Sequence, residues 1–374
     1  MRITDAMRAV FVELLVHGPM SRAEVARRLD LSPSALTKVA KPLLDAGYLI
    51  EQSSDGQKGV GRPSQPLQVD ASRLSFIGIK LTADELFAVR ADMTAVIQDQ
   101  LSLPLAGHDV DTIVAQIAEV VRRLTEAHRD VAGVGISLAG TATPGDPVVG
   151  TSPFLGWSQV PLARLVEEAV GIPTVIDNDV RALTVAQQWF GEGVGRSSFA
   201  LLTVGAGIGC GLVLGGRVVT GRSGATGMIG HLAIDDRGPL CERGHRGCAR
   251  AYATSTAIRR TIAITLDQPD LTFDDCLELA RRGQPVARRV LDDAGRALGQ
   301  VIATVANIIG PELVILSGEA VHMYPLCADA LQAALTQHTH WTSTPVPVSV
   351  KPFTFAEWAR GAAVSALQHL LLHS

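Results

Sequence analysis

From Ser75 onward the chain alternates glycine-rich apolar runs with helical stripes, in two successive blocks, and that alternation constrains the fold more than any other feature. LSFIGIKL, LFAVRAD and AVIQDQLSL read as three successive strands. DTIVAQIAEVVRRLTEAH then places Ile113, Ile117, Val120, Val121 and Leu124 at helical spacing. VAGVGISLAG reads as a buried strand running into glycines, and IPTVIDNDVRALTVAQQWFG as a strand, a polar corner and a helix. The second block opens with SFALLTVGAGIGCGLVLGGRVV, a glycine-rich hairpin. It continues through a long helix around Val290–Ile309 and the strand ELVILSGEA, and closes on a helix at Glu357–Leu372. Two such blocks predict a two-lobed α/β protein with a cleft between the lobes.

The first 70 residues have a different texture. A helix carrying Ile3, Val10 and Leu14 ends at Gly18 and Pro19. Ser21 begins a second helix, with Glu24 placed for a capping box. After a short turn at Asp30 and Leu31, Ser32 caps a third helix that has Pro33 at its first position and Leu36, Val39, Leu43 and Leu44 inward. Two short helices around a tight turn match helix-turn-helix geometry, and the second would present Ser34, Thr37, Lys38 and Lys41. Small hydroxylic groups permit approach to base edges, while the lysines meet phosphates. YLIEQSSDGQKGVGRPSQPLQVD follows as two short strands around a polar loop. It reads as a wing whose Lys58 and Arg62 suit a narrow minor groove. The alternatives are a three-helix protein-interaction module and a plain linker, but a linker has no need of Tyr48, Leu49, Leu67 and Val69 around the loop.

Composition adds bounds. The chain of 374 residues exceeds what one core commonly uses, and its net charge of −4 excludes a bulk basic field. Residues 1–70 carry nine Lys and Arg against eight Asp and Glu, so any DNA contact must come from a local surface. Five cysteines in a long chain without a secretory signature predict free thiols in a reducing cytoplasm. The apolar run from Ala9 to Val16, broken by Glu13, is too short for a signal or a membrane span.

IDND, TVGAGIGCGLVLGG, GMIGH and CERGHRGC in that order, with SPFLGW and the N-terminal module, give the chain its resemblance. It resembles the ROK family (repressors, open reading frames and sugar kinases), and within it the regulators that join a winged helix to an actin-like sugar-kinase body. The resemblance spans essentially the whole chain. It implies a winged helix-turn-helix over residues 1–70, a first lobe over 75–190 to which a terminal helix at about 356–374 returns, and a second lobe over 191–355.

Kinases of the family hold ATP with an Asp-x-Gly-Gly-Thr-like turn after the first strand. Here Lys80, Thr82 and Ala83 stand in place of the Asp and the two Gly. The second phosphate loop keeps Gly205, Gly207 and Gly209 but has Ala206 for a usual Thr, and Ser317-Gly318-Glu319 departs from an expected Gly pair. Neither kinase activity nor ATP binding is expected. The resemblance assigns a carbohydrate-derived ligand to Asn178, Asp179 and His231, with Asp179 also able to cap the following helix. Met228 and Arg250 replace two family Glu residues, and Phe154 replaces an Asn. Arg250 would suit an anionic ligand; the other reading is a site kept for structure alone.

The family zinc site uses one His and three Cys. His231, Cys241 and Cys248 remain, Arg243 takes the middle position, and His245 is the candidate substitute. If no zinc is held, the cysteines are small buried groups. The expected protein is a cytoplasmic, dimeric or tetrameric transcriptional regulator, a repressor by preference. It binds a double-stranded DNA operator, and its body either senses a sugar or serves as a dimerisation scaffold. The alternatives are an active ATP-dependent sugar kinase with an added DNA-binding domain and a regulator controlled by a protein partner.

Overall fold

A computed structural model of the chain describes residues 4–52, 65–126, 130–221 and 226–373. Helix α1 (Asp5–His17) starts at Thr4, whose hydroxyl accepts the Met7 N–H at 3.3 Å, and stops at Gly18. Ser21 caps α2 (Arg22–Arg28) through the Glu24 N–H at 3.2 Å. The predicted capping box is not completed, because the Glu24 carboxylate turns to Arg27 and its charge at 2.6 Å. Ser32 caps α3 (Pro33–Asp45). Val25, Ala26, Leu36, Ala40 and Leu43 face a buried cluster with Val10, Phe11 and Leu14. Strands β1 (Leu49–Glu51) and β2 (Leu67–Val69) pair antiparallel, Leu49 opposite Val69. Lys58 and Arg62 lie outside the described residues.

Next comes a mixed sheet. Strands β3 (Ser75–Leu81), β4 (Glu85–Asp92) and β5 (Ile97–Pro104) form an antiparallel meander. Helix α4 (Val110–Thr125) carries the chain back to β6 (Val131–Leu138), parallel to β3. A hairpin of β7 (Val149–Ser152) and β8 (Trp157–Val160), then α5 (Leu162–Val170), lead to β9 (Thr174–Asn178), parallel to β6. The strand order is β5-β4-β3-β6-β9. Helix α6 (Asp179–Phe190) leaves β9 with no loop between them, which plants the polar corner at the carboxyl end of a buried strand.

Contacts divide the chain into two compact units, residues 1–194 with 355–374, and residues 195–354. The second is built on β10 (Phe199–Val204), β11 (Ile208–Leu214) and β12 (Arg217–Val218), an antiparallel set. Helices α7 (Ala249–Ala253), α8 (Ser255–Leu266), α9 (Phe273–Arg281) and α10 (Pro285–Ile309) precede β13 (Val314–Ser317), which pairs parallel to β10. Helix α11 (Tyr324–His338) and β14 (Val348–Val350) complete the order β12-β11-β10-β13-β14. Gly295 and Gly299 let the α11 backbone press onto α10: a Cβ at Gly295 would sit 2.6 Å from the Cys327 carbonyl oxygen. All five cysteines are buried and none forms a disulfide; burial pushes the Cys210 and Cys327 thiols up to about 12.

The chain then returns to its first unit as α12 (Phe355–His373), whose small residues lie on β3 and β6. A Cβ on Gly78 would come 2.6 Å from the Ala363 nitrogen, and one on Gly135 would come 2.6 Å from the Ala362 carbonyl carbon. Helix α12 also packs on α6, where Gly361 faces Ala182, and its C-terminal part meets the N-terminal module. Ala363, Ala366 and Leu367 share one buried cluster with Val10, Phe11, Leu14, Phe76 and Trp189. The Arg8 Nε also donates to the Leu371 carbonyl at 2.6 Å. The helix-turn-helix is therefore packed onto the body rather than strung from it. Among the described residues no helix is long and apolar enough to cross a membrane.

Candidate functional site

On α3, Ser34, Thr37, Lys38 and Lys41 are all exposed, while Leu36, Ala40 and Leu43 are buried. Their spacing puts the four on one helical face. The hydroxyls are steadied locally: Thr37 Oγ1 donates to the Pro33 carbonyl at 2.9 Å, and the Ser34 and Ser32 oxygens lie 3.1 Å apart. Nothing apolar interrupts the row, so a rigid, polar, partly cationic ridge stands ready for a groove.

At the carboxyl end of the first sheet, Lys80 on β3 reaches across β6 to the start of α6 and forms an ion pair with Asp179. Both side chains are buried, at 6% and 9% exposure. The Lys80 ammonium also sits 5.0 Å from the centre of the Trp358 ring on α12. Lys80, read from the sequence as standing in a phosphate-loop position, thus meets Asp179, the carboxylate that the resemblance assigns to sugar. An ammonium and a carboxylate are brought together inside the first unit, 99 residues apart in the chain.

Asn178 is also committed. Its Oδ1 accepts the Arg181 N–H at 3.1 Å and its Nδ2 donates to the Gly140 carbonyl at 3.0 Å. The helix cap the sequence offered to Asp179 is therefore held by Asn178.

Sequence reasoning passed over Asp177, one residue earlier. It is 1% exposed, accepts Arg181 Nη1 and Ser365 Oγ on one oxygen at 2.6 Å each, and has no partner on Oδ1 among the described residues. Burial raises its carboxyl to about 6, against the pull of Arg181 and Ser365. A folded value above the unfolded one means that the native state holds the proton longer, so stability from this group falls as pH rises from about 4 to about 6. Relative to wild type, Asp177→Asn should gain about 2 kcal/mol of unfolding free energy between pH 4.5 and pH 7, by urea titration. A pH-independent difference between the two proteins would mean that Asp177 is ionised throughout.

In the second unit, residues 231–248 draw four metal-binding side chains together. Cys241 Sγ lies 3.8 Å from His231 Nδ1 and 3.7 Å from His245 Nδ1, and the two imidazole nitrogens are 2.9 Å apart. Cys248 Sγ is 3.6 Å from His231 Nδ1. Zinc–ligand bonds of about 2.0–2.3 Å in a tetrahedron place N and S donors about 3.6 Å apart and N donors about 3.3 Å apart. His231, Cys241 and His245 form a group whose ligand atoms all lie within 4.8 Å of one another, and Cys248 stands beside it through His231. Burial and the nearby His245, Arg250 and Arg243 charges hold His231 below its usual range, which favours the neutral ring a metal binds. Arg243 itself is exposed, and its backbone N–H donates to Cys241 Sγ at 3.4 Å. Arg250, expected to face an anionic ligand, is ion-paired with Glu242. Met228 is 71% exposed and Phe154 44%, so both substitutions exchange a polar group for open apolar surface.

Residues 78–368 match the ROK family. The chain belongs to that family. It is similar to the xylose repressor of Caldicellulosiruptor bescii, 25% identical over 347 residues, covering 88% of this chain and 87% of the relative. It is also similar to the solved structure of a ROK family transcriptional regulator described as a homologue of the E. coli MLC protein. That likeness has a TM-score of 0.84 and 25% identity, and covers 98% of this chain and 96% of the other. A ROK family glucokinase from Streptomyces griseus, solved with glucose and AMPPNP, matches at a TM-score of 0.67 and 26% identity. That match takes in 79% of this chain and 99% of the kinase. The two regulators run over the N-terminal module as well as the ROK body, and the two-lobed actin-like fold with its N-terminal helical module is the one the sequence predicts.

Proposed function

We propose that the chain is a sequence-specific, DNA-binding transcriptional regulator, acting as a repressor on a double-stranded operator, whose ROK body answers a carbohydrate-derived effector and performs no phosphoryl transfer. The exposed row of Ser34, Thr37, Lys38 and Lys41 on α3 carries the reading. Similarity along nearly the full length to proteins named as repressors and regulators supports it. A two-fold operator would be met by a dimer, each copy supplying one α3 to a half-site.

The Lys80–Asp179 pair argues against the second reading, an active sugar kinase, although the body is similar to a glucokinase. A coupled assay with ATP and a panel of pentoses and hexoses is expected to give no turnover.

A gel shift with DNA upstream of the chain's own gene tests the main reading, run with and without neutral sugars, amino sugars and sugar phosphates. Specific binding released by one sugar class is the expected result. Failure to find specific binding there, together with failure of genome-wide selection to yield a consensus, would sink the proposal. Lys38→Ala and Lys41→Ala should each weaken binding to every sequence alike and reduce the salt slope by about 1. An unchanged slope would place the DNA face elsewhere.

The His231, Cys241 and His245 group, with Cys248 beside His231 as the fourth donor, is proposed to hold one structural zinc, which would tie the loop together without taking part in a reaction. Elemental analysis of the purified chain should then give about one zinc per chain, lost in His245→Ala. Full zinc retention in that variant would show that His245 is not a ligand.

A further inference from the structure

Strands β10 and β13 run parallel as neighbours, with Thr203 beside Ser317, so the turns that follow them stand side by side at their carboxyl ends. After β10 comes Gly205-Ala206-Gly207, a tight turn closed by the Gly205 N–H on the Gly207 carbonyl at 2.9 Å. After β13 comes Gly318, at φ +106°, where a Cβ would stand 2.6 Å from the Val204 nitrogen. Only glycine permits that bend, which aims residue 319 across the neighbouring turn. The Ala320 N–H then locks onto the Val204 carbonyl at 2.9 Å.

What lies across the turn is a carboxylate. Glu319 Oε1 accepts the Ala206 N–H, and a Cβ on Gly205 would meet Glu319 Cδ at 2.5 Å, so the side chain lies flat on the glycine. Flanking it, Arg250 Nη1 would be 3.3 Å from a Cβ on Gly207. An outward amide, a glycine surface open to close approach and a guanidinium form a cradle for an anion. The chain supplies that anion itself.

We propose that Glu319 is a built-in occupant of a phosphate-type anion site on the Gly205-Ala206-Gly207 turn, and that it keeps nucleotide phosphates out of the second unit. A tethered carboxylate competes at a high effective concentration, and its charge repels any phosphate that approaches. This closure is independent of the Lys80–Asp179 pair, which lies in the other unit. It does not depend on DNA binding.

The test is calorimetric titration of ADP, without magnesium, into the full-length wild type, Glu319→Ala and Glu319→Gln, with adenosine as the control. Glu319→Ala should bind ADP at least about tenfold more tightly than wild type, with adenosine affinity changed less than about twofold. ADP binding no tighter than wild type in a folded Glu319→Ala overturns the proposal. So does an equal rise for adenosine, which would reveal a mere hole. Glu319→Gln preserves shape and removes charge. Should Glu319→Ala fail to fold, the Gln variant decides: a rise in ADP affinity of about threefold supports the proposal and no rise overturns it. Sub-millimolar ADP binding by the wild type would overturn it outright.

Discussion

Lys80→Met should destabilise the chain by about 3–5 kcal/mol, because it strands the Asp179 carboxylate inside the first unit without a counter-charge. Asp179→Leu should cost a similar amount by stranding the ammonium, which keeps only the Trp358 ring, 5.0 Å away. The double variant Lys80→Met/Asp179→Leu should recover to within about 1 kcal/mol of wild type, because two apolar side chains of similar volume carry no desolvation penalty. Urea unfolding of the four proteins gives the coupling energy directly. Additive losses would show that the two charges are solvated separately. Asn178, which holds the helix cap, leaves α6 capped throughout.

A single methyl group at Gly135 should do comparable damage. Gly135→Ala would drive a Cβ into the Ala362 carbonyl, and neither β6 nor α12 can yield without disturbing the packing of α12 on the sheet. The cost should be at least about 3 kcal/mol, at the upper end for overpacking. DNA affinity should fall with it, because the cluster that seats α1 against the body includes Ala363, Ala366 and Leu367 of α12. Gly283→Ala is a useful comparison: its position meets nothing within 4 Å, so only the strain of its φ of +81° would be felt. Thermal unfolding together with operator titration checks both. A Gly135→Ala protein with wild-type stability and affinity would mean that α12 can slide along β6.

Much of this was legible in the linear chain. Ser21, Ser32 and Pro33 mark helix starts that the structure keeps, and the alternating blocks gave β3 to β6, α4, β9 and α6 in chain order, though not the order of the strands within either sheet. The exposed row on α3 followed from periodicity, which turned Leu36, Val39, Leu43 and Leu44 inward; Leu36 and Leu43 are buried, Val39 and Leu44 are half-buried, and Ala40 joins the core beside them. Other features were visible as residues but mute as partners. Lys80 was seen as the loss of an aspartate; the signal missed was that a lysine inside an apolar strand needs a carboxylate, and Asp177 and Asp179 were the nearest candidates by topology. Glu24 looked like half of a capping box and chose Arg27 instead, as the two are three residues apart on one helix and oppositely charged.

Local preferences and periodicity act over a few residues, so the sequence by itself determined α1 to α4, α6, α10, α12 and most strands, but not α5, α7, α8, α9, α11 or the β7–β8 hairpin. Charges and glycines are settled by what arrives from far along the chain. The meeting of Lys80 with Asp179 spans 99 residues, that of Ser365 with Asp177 spans 188, and that of Ala206 with Glu319 spans 113. Such partners are fixed by sheet register and helix docking, which no short window of sequence contains. Only the tertiary structure could therefore decide that Lys80 meets Asp179 and that Glu319 lies on the Gly205-Ala206-Gly207 turn.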